Sequence, residues 1–469
     1  MVQPTLDRNE LTLLLSKGKH DTGKVLDVLP FLSKRTKKIK GQFNKVLGEY
    51  IRNICEVKLD EKSLKKNDDY YTSREENELS EHIASSIEFN HDDDKHDFIR
   101  FMDQYLFNQE EIKPIHPFLF NFIKVESGLN NEFGKYANFM NDVFVKNNND
   151  IKTIFKSKET DDILTELILS KMDVLKDVKQ EKKDQYEALF EPFIRLYQED
   201  LIYLSQYKEY FLTSFPLLTH YYAFMYACQL VVKFERFTDT SFESAHPLYF
   251  TLEWESVSKR RKAADELEGL KYIKEKSINL FPHIHTISHL SHNSLNQPDS
   301  EGKRSFIPYN ELQQLIKKNG QNYEKDYLNE LTQWIRDYSL LKNIKPKKEP
   351  EDLADAFKAL FHCLREGMSS EVIDKYGKNI EDLGSIQFIK SRGSIGQVFN
   401  IKHDFLLLLT AVSVKNKRIP LNDLFQEFRK RGIELDRYSK KEVIKLLDNL
   451  NILDKKSDSG DAQYVKPIL

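Results

Sequence analysis

The sequence predicts a mainly α-helical protein whose chain ends in a small unit of three helices and a two-stranded β-ribbon. Apolar residues recur at helical spacing through most of the chain, almost without a break from Leu119 onward. With only 16 glycines among 469 residues, a glycine-rich α/β nucleotide-binding fold is disfavoured. From His403 to the end, helix-start, helix-end and turn signals follow one another at short intervals and define the terminal unit.

The first two helices of the terminal unit are predicted on either side of a short basic turn. An apolar run that starts at His403 predicts the first helix, and the turn after it contains Lys417 and Arg418. Pro420 stands where the second helix can begin, because the first turn of a helix does not need the N–H that proline lacks. That helix is predicted to end at Gly432, since glycine commonly closes helices.

The third helix of the terminal unit is predicted to start at Ser439. Serine is a favourable N-cap, and Glu442, three residues later, completes a capping box. The apolar positions of this helix point inward, which directs Lys440, Lys441 and Lys445 outward.

A β-ribbon is predicted after the third helix. Residues 452–453 open an extended segment, residues 458–461 form a turn sequence, and residues 462–465 are typical of a return strand. Three helices followed by such a ribbon are the plan of a winged helix-turn-helix, in which the third helix is the recognition helix.

The chain is too long for one compact core, so we expect two or three domains. The predicted division is a multi-helical body over residues 1–341, a connecting segment over 342–400 and the winged helix-turn-helix over 401–469. The connecting segment opens with two prolines among charged residues, which stop helices and expose the backbone. It continues with a helix over 353–365 and two short strands around a glycine turn within 385–399.

The most apolar stretch, residues 210–232, has no formal charge and is long enough to cross a bilayer. It also contains a proline, a histidine, a glutamine and four tyrosines, and highly charged segments flank it. We therefore predict a buried central helix and no membrane segment. Three widely spaced cysteines and an N-terminus without a signal-peptide pattern indicate a reducing, cytoplasmic location.

Residues 18–24 match the start of a phosphate-binding loop motif. Val25 replaces the Ser or Thr that binds Mg²⁺ in that motif, and Pro30 interrupts the helix that should follow. We interpret the match as chance.

The acidic cluster at residues 90–97 is interpreted as the start of a helix, because aspartate favours that position.

Residues 283–292 contain four histidines. His285 and His289 would share a helical face and could bind zinc or another transition metal. No carboxylate lies close in sequence to complete such a site, so we favour a polar, partly buried segment or loop. We assign no catalytic residue, cofactor or metal and predict a protein that is not an enzyme. A metal-dependent nuclease using this cluster or residues 92–97 stays an alternative.

Two basic clusters lie outside the terminal unit. Lys259, Arg260, Arg261 and Lys262 are consecutive and predict a basic helix that can lie on a phosphate backbone. The run at residues 34–40 could also meet phosphates, although a solvated surface is the interpretation we favour for it.

Two stretches of the sequence carry a resemblance to a known family. One runs from Arg392-Gly393 through residues 425–432 to residues 457–465, and the other is residues 248–255. Both resemble the DptG proteins of bacterial DNA-phosphorothioation-dependent restriction systems. They cover a minor part of the chain and carry no catalytic motif. The resemblance implies an accessory subunit that acts with ATPase partners, DptF and DptH, to restrict DNA that lacks the phosphorothioate mark, as an anti-phage defence.

The charge of the terminal unit agrees with contact to double-stranded DNA. Residues 401–469 contain 14 Lys and Arg against 10 Asp and Glu, a net charge of +4, whereas the whole chain carries −3. Lys455 and Lys456 of the ribbon therefore join the outward lysines and the basic turn as predicted DNA-binding residues. Asp458 and Asp461 flank the ribbon tip and would repel phosphate. The alternative is a scaffold whose winged helix docks on an ATPase partner without touching DNA.

Overall fold

The computed structural model describes most of the chain. The described residues are 5–16, 20–59, 78–85, 87–108, 111–123, 130–146, 148–171, 175–178, 184–256, 267–345, 348–455 and 463–469. Most of them lie in helices, which confirms the predicted mainly α-helical class. Within these ranges, every helix is too short or too polar to cross a lipid bilayer.

The helices and strands are numbered in chain order. The α-helices are α1 Arg8–Ser16, α2 Asn44–Cys55, α3 Glu78–Ala84, α4 Asp92–Leu106, α5 Asn130–Met140, α6 Asn149–Lys156, α7 Ile163–Lys171, α8 Glu191–Ser205, α9 Lys208–Glu235, α10 Leu270–Ser277, α11 Leu280–Ser291, α12 Tyr309–Lys318, α13 Gln321–Leu341, α14 Leu353–Gly367, α15 Ser370–Gly377, α16 Asn379–Gly384, α17 His403–Val414, α18 Leu421–Lys430 and α19 Arg437–Asn449. The strands are β1 Val57–Leu59, β2 Phe107–Asn108, β3 Glu111–Ile112, β4 Leu175–Asp177, β5 Leu248–Leu252, β6 Ile389–Ser391, β7 Gln397–Ile401, β8 Ile419–Pro420, β9 Ile433–Glu434, β10 Leu453–Lys455 and β11 Gln463–Val465. Short 3₁₀ helices cover Pro117–Phe122, Phe237–Asp239 and Gly393–Ile395, and a π-helix covers Asn141–Val145.

The protein divides into two compact units. The larger unit consists of Met1–Gly41, Asp184–Leu196 and Tyr221–Leu469, and the smaller unit consists of Gln42–Lys183 and Tyr197–His220. The terminal helices thus belong to the same unit as the N-terminal segment. The sequence-based boundaries after residues 341 and 400 stay a prediction.

In the smaller unit, α2 packs closely against the 3₁₀ helix Pro117–Phe122. Arg52 of α2 is buried and donates hydrogen bonds to the backbone oxygens of Asn121, at 2.6 Å, and Ile123, at 3.2 Å. Gly48 permits this approach, because a Cβ at that position would collide with the carbonyl oxygen of Ile123.

A second core of the smaller unit lies between α3, α4 and α7. Met102 and Leu106 of α4 are fully buried there against Ile83 and Ile168. Helix α4 begins at Asp92 with three aspartates in its first turn. This confirms that the acidic cluster starts a helix, where carboxylates interact favourably with the helix dipole.

In the larger unit, the second half of α9 lies at the centre of the core. Every residue from Tyr221 to Phe234 is buried. Phe224 stacks on Phe388 with ring centroids 5.3 Å apart, and Tyr221 packs on Phe405 at 4.7 Å. These contacts confirm the buried helix that the apolar composition predicted.

A four-stranded sheet of order β6-β7-β5-β9 joins distant parts of the larger unit. Strands β6 and β7 form an antiparallel hairpin, which confirms two strands around a glycine turn, although the first begins at Ile389 and not at Ser385 as predicted. Strand β5 pairs in parallel with β7, where Phe250 lies opposite Phe399, and with β9, where Leu248 lies opposite Ile433. Because β9 lies between α18 and α19, this pairing attaches the terminal helices to the middle of the chain.

Helices α17, α18 and α19 occupy the three places predicted for helices near the C-terminus. Strands β10 and β11 follow these helices and form a three-stranded antiparallel sheet of order β10-β11-β8 with β8, which lies between α17 and α18. In this sheet Leu453 lies opposite Val465, and Tyr464 lies opposite Pro420. The helix predicted after the proline-rich connection is also confirmed, as α14.

The histidine-rich segment is a helix, α11, and it is fully buried, so the prediction of a polar, partly buried segment or loop was wrong. Every residue from Pro282 to Ser291 is buried. A neutral imidazole ring can pack in a core much as a phenyl ring does. His283 stacks on Phe361 with ring centroids 4.2 Å apart. The sequence pattern was misleading because histidine is usually only partly buried.

Candidate nucleic-acid interface

The N-cap of helix α19, the predicted recognition helix, lies three residues before the predicted N-cap Ser439. Asp436 is the N-cap, and its carboxylate accepts hydrogen bonds from the backbone N–H groups of Tyr438 and Ser439, both at 2.8 Å. The capping box predicted at Ser439 was therefore wrong. Aspartate satisfies the free N–H groups of the first turn as well as serine does, so Ser439 is available for another contact.

The start of α19 is held by side chains that extend from β5 and the turn after it. Ser439 is buried and donates a hydrogen bond to Glu255 Oε1 at 3.0 Å. The same oxygen accepts the backbone N–H of Leu252 at 3.0 Å. Tyr249 donates its hydroxyl to Asp436 at 3.0 Å. One end of the helix is thus fixed on the sheet.

The outward side of α19 carries three exposed cations at a spacing of four residues: Arg437, Lys441 and Lys445. Residues four apart lie above one another on a helix, so the three form one row, which we call the basic stripe. Tyr438, 45% exposed, lies beside the stripe, and the Arg437 guanidinium sits 4.6 Å from the centre of its ring. Sequence reasoning missed Arg437 because it precedes the predicted N-cap, although the four-residue spacing could have revealed it.

The three lysines predicted on α19 differ in their surroundings. Lys440 is half-buried and forms an ion pair with Glu434 at 3.3 Å. Lys445 is exposed and pairs with Glu442 at 2.7 Å. Lys441 is exposed and has no ion-pair partner within the described part of the chain. Lys441 and Arg437 are therefore the cations of α19 most available to an external anion.

The basic turn after α17 is exposed at both predicted residues. Arg418 lies 4.0 Å from Asp454 and 5.3 Å from the centre of the Tyr464 ring. Lys417 is exposed. The side chain of Lys455 lies outside what the structure describes, as do Lys456 and the cluster Lys259, Arg260, Arg261 and Lys262 in full.

Arg431 was counted in the basic excess of the terminal unit, but its side chain is buried in the core. Its side chain is 1% exposed and bonds the Glu427 carboxylate at 3.0 Å and the backbone oxygen of Val412 at 3.2 Å. Its own backbone oxygen accepts the Tyr221 hydroxyl at 2.5 Å. Burial alone would raise the pKa of Glu427, but hydrogen bonds and charge from Lys430 and Arg431 outweigh it and lower that pKa. Sequence counts alone overstate the charge that this region presents to a partner.

The buried histidines form a neutral cluster around α11. Burial lowers the pKa of His285 to about 3, and burial together with the charge of Lys342 lowers the pKa of His20 to about 4. Burial also places the pKa of His289 well below its ordinary value. Across the described ranges, no group of three or more His, Cys, Asp or Glu side chains could hold a metal ion.

The segment after the phosphate-loop-like motif has no helix between Thr22 and Phe43. Lys24 lies in a turn, and Val25 forms a bridge with Arg304. A phosphate-binding loop needs a helix directly after its lysine, because the helix N-terminus binds the phosphates. The described part of this motif thus lacks the element on which nucleotide binding depends.

No protein-family model matches the chain, and no curated protein matches it either.

Proposed function

We propose that this chain is a non-catalytic, DNA-contacting subunit of a bacterial phosphorothioation-dependent restriction complex, in which its last 69 residues act as a winged helix-turn-helix. The complex would be an anti-phage defence in the cytoplasm, and the partners would be ATPases of the DptF and DptH type. The resemblance of residues 248–255 and of the C-terminal stretch to DptG proteins supports this assignment.

The order of elements supports the winged-helix part of the proposal. Apart from β9, which lies between α18 and α19 and pairs with β5, the chain runs α17, β8, α18, α19, β10 and β11, and β8 joins the ribbon as a third antiparallel strand. A winged helix has this order, and its recognition helix is the one directly before the ribbon. In this chain that helix is α19.

The observation that carries DNA contact is the exposed basic stripe. Helix α19 contains four basic side chains, Arg437, Lys440, Lys441 and Lys445, against two acidic ones, a net charge of +2. Three of the four face solvent in one row. Such a row can follow a phosphate backbone, and Tyr438 adds a planar surface beside it. Contacts of this kind provide affinity that depends strongly on salt.

The test measures binding of the full chain to a fluorescent duplex over a series of salt concentrations. We expect Arg437→Ala with Lys441→Ala to weaken binding and to reduce the slope of log affinity against log salt by about 2, or about 0.9 per lost phosphate contact. Lys317→Ala with Lys318→Ala is the matched control, because those lysines are also exposed on a helix of the larger unit. Equal binding by both variants would refute the proposal.

Protein docking by the same module is the second candidate, and a specific observation favours it. Several cations of the terminal helices already have carboxylate partners within the unit: Arg429 and Lys440 share Glu434, and Arg418 and Lys466 share Asp454. Each ion pair neutralises part of the positive charge that could attract DNA. If the stripe variant bound duplex normally but no longer co-purified with an ATPase partner, docking would replace DNA contact.

A further inference from the structure

We propose that the exposed lysines of the segment 34–41, here called the lysine turn, form a second contact for the phosphate backbone of the same duplex. The turn presents Lys34, Lys37, Lys38 and Lys40, all exposed. This inference rests on the proposed function and deepens it, since it adds a second phosphate contact to that of α19.

The lysine turn is held in one conformation by its own anchors. Arg35 donates two hydrogen bonds to the buried carboxylate of Asp382, at 2.5 and 2.6 Å. Ile39 is 2% exposed and fixes the other side of the turn in the core. Lys37 adopts a positive φ of 61°, and the N–H of Lys40 bonds to its backbone oxygen at 3.2 Å. Four charges are therefore displayed on an ordered scaffold, which reduces the entropy lost on binding.

The carboxylates whose charges act on Arg35 are each paired with a cation. Asp382 is taken by Arg35, and Glu381 pairs with Lys274 at 3.0 Å. Asp374 pairs with Lys378 at 2.6 Å. Lys34, Lys37 and Lys40 have no ion-pair partner within the described ranges. An ordinary solvated surface mixes both signs of charge, so this excess of one sign favours a polyanionic partner.

A series of contacts, here called the path, connects the lysine turn to α19 within the larger unit. Its residues are exposed or partly exposed as far as Trp254, and the last two, Glu255 and Ser439, are buried. Gly41 approaches Ile386 so closely that a Cβ would lie 2.6 Å from its side chain. The next residue along the path, Gln387, accepts a hydrogen bond from Lys402 at 3.2 Å.

The path continues from Lys402 to its neighbour His403, whose ring stacks on Trp254 with centroids 3.8 Å apart. Glu255, which follows Trp254, binds Ser439 in the first turn of α19. The path thus carries a cation, an imidazole and an indole between the two lysine-bearing elements. A phosphate backbone is a repeating anion that both elements can bind, whereas a single small anion would use only one of them.

The test removes the turn's charges and compares the result with an equal loss of charge elsewhere. The variant carries Lys34→Ala, Lys37→Ala, Lys38→Ala and Lys40→Ala in the full chain. The matched control carries Lys317→Ala, Lys318→Ala, Lys325→Ala and Lys358→Ala, four exposed helix lysines of the same unit. Circular dichroism and the thermal midpoint establish that both variants fold.

We expect the turn variant to bind duplex more weakly than the control and to lose up to about 0.9 of salt slope per lysine. Its defect should grow with duplex length until the duplex reaches both elements. Equal binding by variant and control would overturn the inference, and so would sedimentation of the wild-type chain with anionic vesicles but not with duplex.

The variant with Arg437→Ala and Lys441→Ala, here called the α19 variant, distinguishes failure of this inference from failure of the proposed function. If only the α19 variant loses binding, the proposed function stands and the lysine turn has no role in it. If only the turn variant loses binding, the turn contact stands and the recognition role of α19 fails.

Discussion

Ser439 and Glu255 lie 184 positions apart in the chain, and a buried hydrogen bond of 3.0 Å joins their side chains. The sequence indicated a serine N-cap for the first residue and no contact for the second. In the folded chain, the acid orients the helix. Because the backbone N–H of Leu252 donates to the same oxygen, the carboxylate also closes the turn after β5. This contact fixes the orientation of α19, and with it the basic stripe, relative to the sheet.

Ser439→Ala is expected to lower the free energy of unfolding by about 1 to 3 kcal/mol, because Glu255 would keep its burial while losing a donor. Urea denaturation followed by circular dichroism measures this change. Ser391→Ala, at an exposed position of β6, is the matched control and should stay within about 0.5 kcal/mol of wild type. A Ser439→Ala variant as stable as the control would show that the bond contributes nothing.

Lys440 and Lys441 are neighbours in sequence, but Lys440 is half-buried and ion-paired whereas Lys441 is exposed. Their alanine variants therefore compare a paired with an available lysine. Lys441→Ala is expected to reduce duplex affinity and to lower the salt slope by about 0.9, the loss of one phosphate contact. Lys440→Ala should have a smaller effect, because its ammonium already lies 3.3 Å from Glu434. Fluorescence anisotropy at several salt concentrations distinguishes the two. The reverse order of effects would mean that Lys440 leaves Glu434 to meet DNA.

Arg431→Ala is expected to destabilise the protein by about 3 kcal/mol. Removing one partner of a buried ion pair leaves the other without full compensation, and Glu427 would keep its ion pair with the exposed Lys430. Arg431→Met should recover part of the loss by filling the same space. The control is Arg429→Ala, whose exposed pair with Glu434 is worth about 1 kcal/mol or less. Thermal and urea unfolding measure all three variants, and similar losses at both arginines would contradict the buried role.

The histidines around α11 predict a loss of stability in acid. Since the folded-state pKa of His285 is about 3 and that of His20 about 4, the unfolded chain binds more protons than the folded chain below their ordinary pKa. The free energy of unfolding should therefore fall as the pH drops from about 6.5 towards 4.

His285→Phe should reduce this acid sensitivity, because it removes the group that must be charged in the unfolded chain and keeps an aromatic ring beside Phe281. The control is His91→Phe at an exposed position, which should leave the pH dependence unchanged. Urea midpoints between pH 4 and pH 8 provide the measurement. An acid loss of the same size in His285→Phe and wild type would place its origin elsewhere.

Local sequence patterns were sufficient for the elements whose signals lie within one or two turns of chain. Gly432 after α18 and the aspartates of α4 stop or start helices through backbone chemistry that neighbours do not alter. The buried half of α9 followed from composition alone, since a helix apolar on all sides has no face for water.

The sequence by itself therefore determined the helical class, the three terminal helices with a ribbon after them, and the outward positions of Lys441 and Lys445 on α19. Only the tertiary structure decided which charges are available to a partner, because ion pairs such as Arg431 with Glu427 and Lys440 with Glu434 depend on how the chain folds back on itself. Periodicity reports which side of an element is buried. It carries no information about the residue, more than a hundred positions away, that meets a side chain there, as Glu255 meets Ser439.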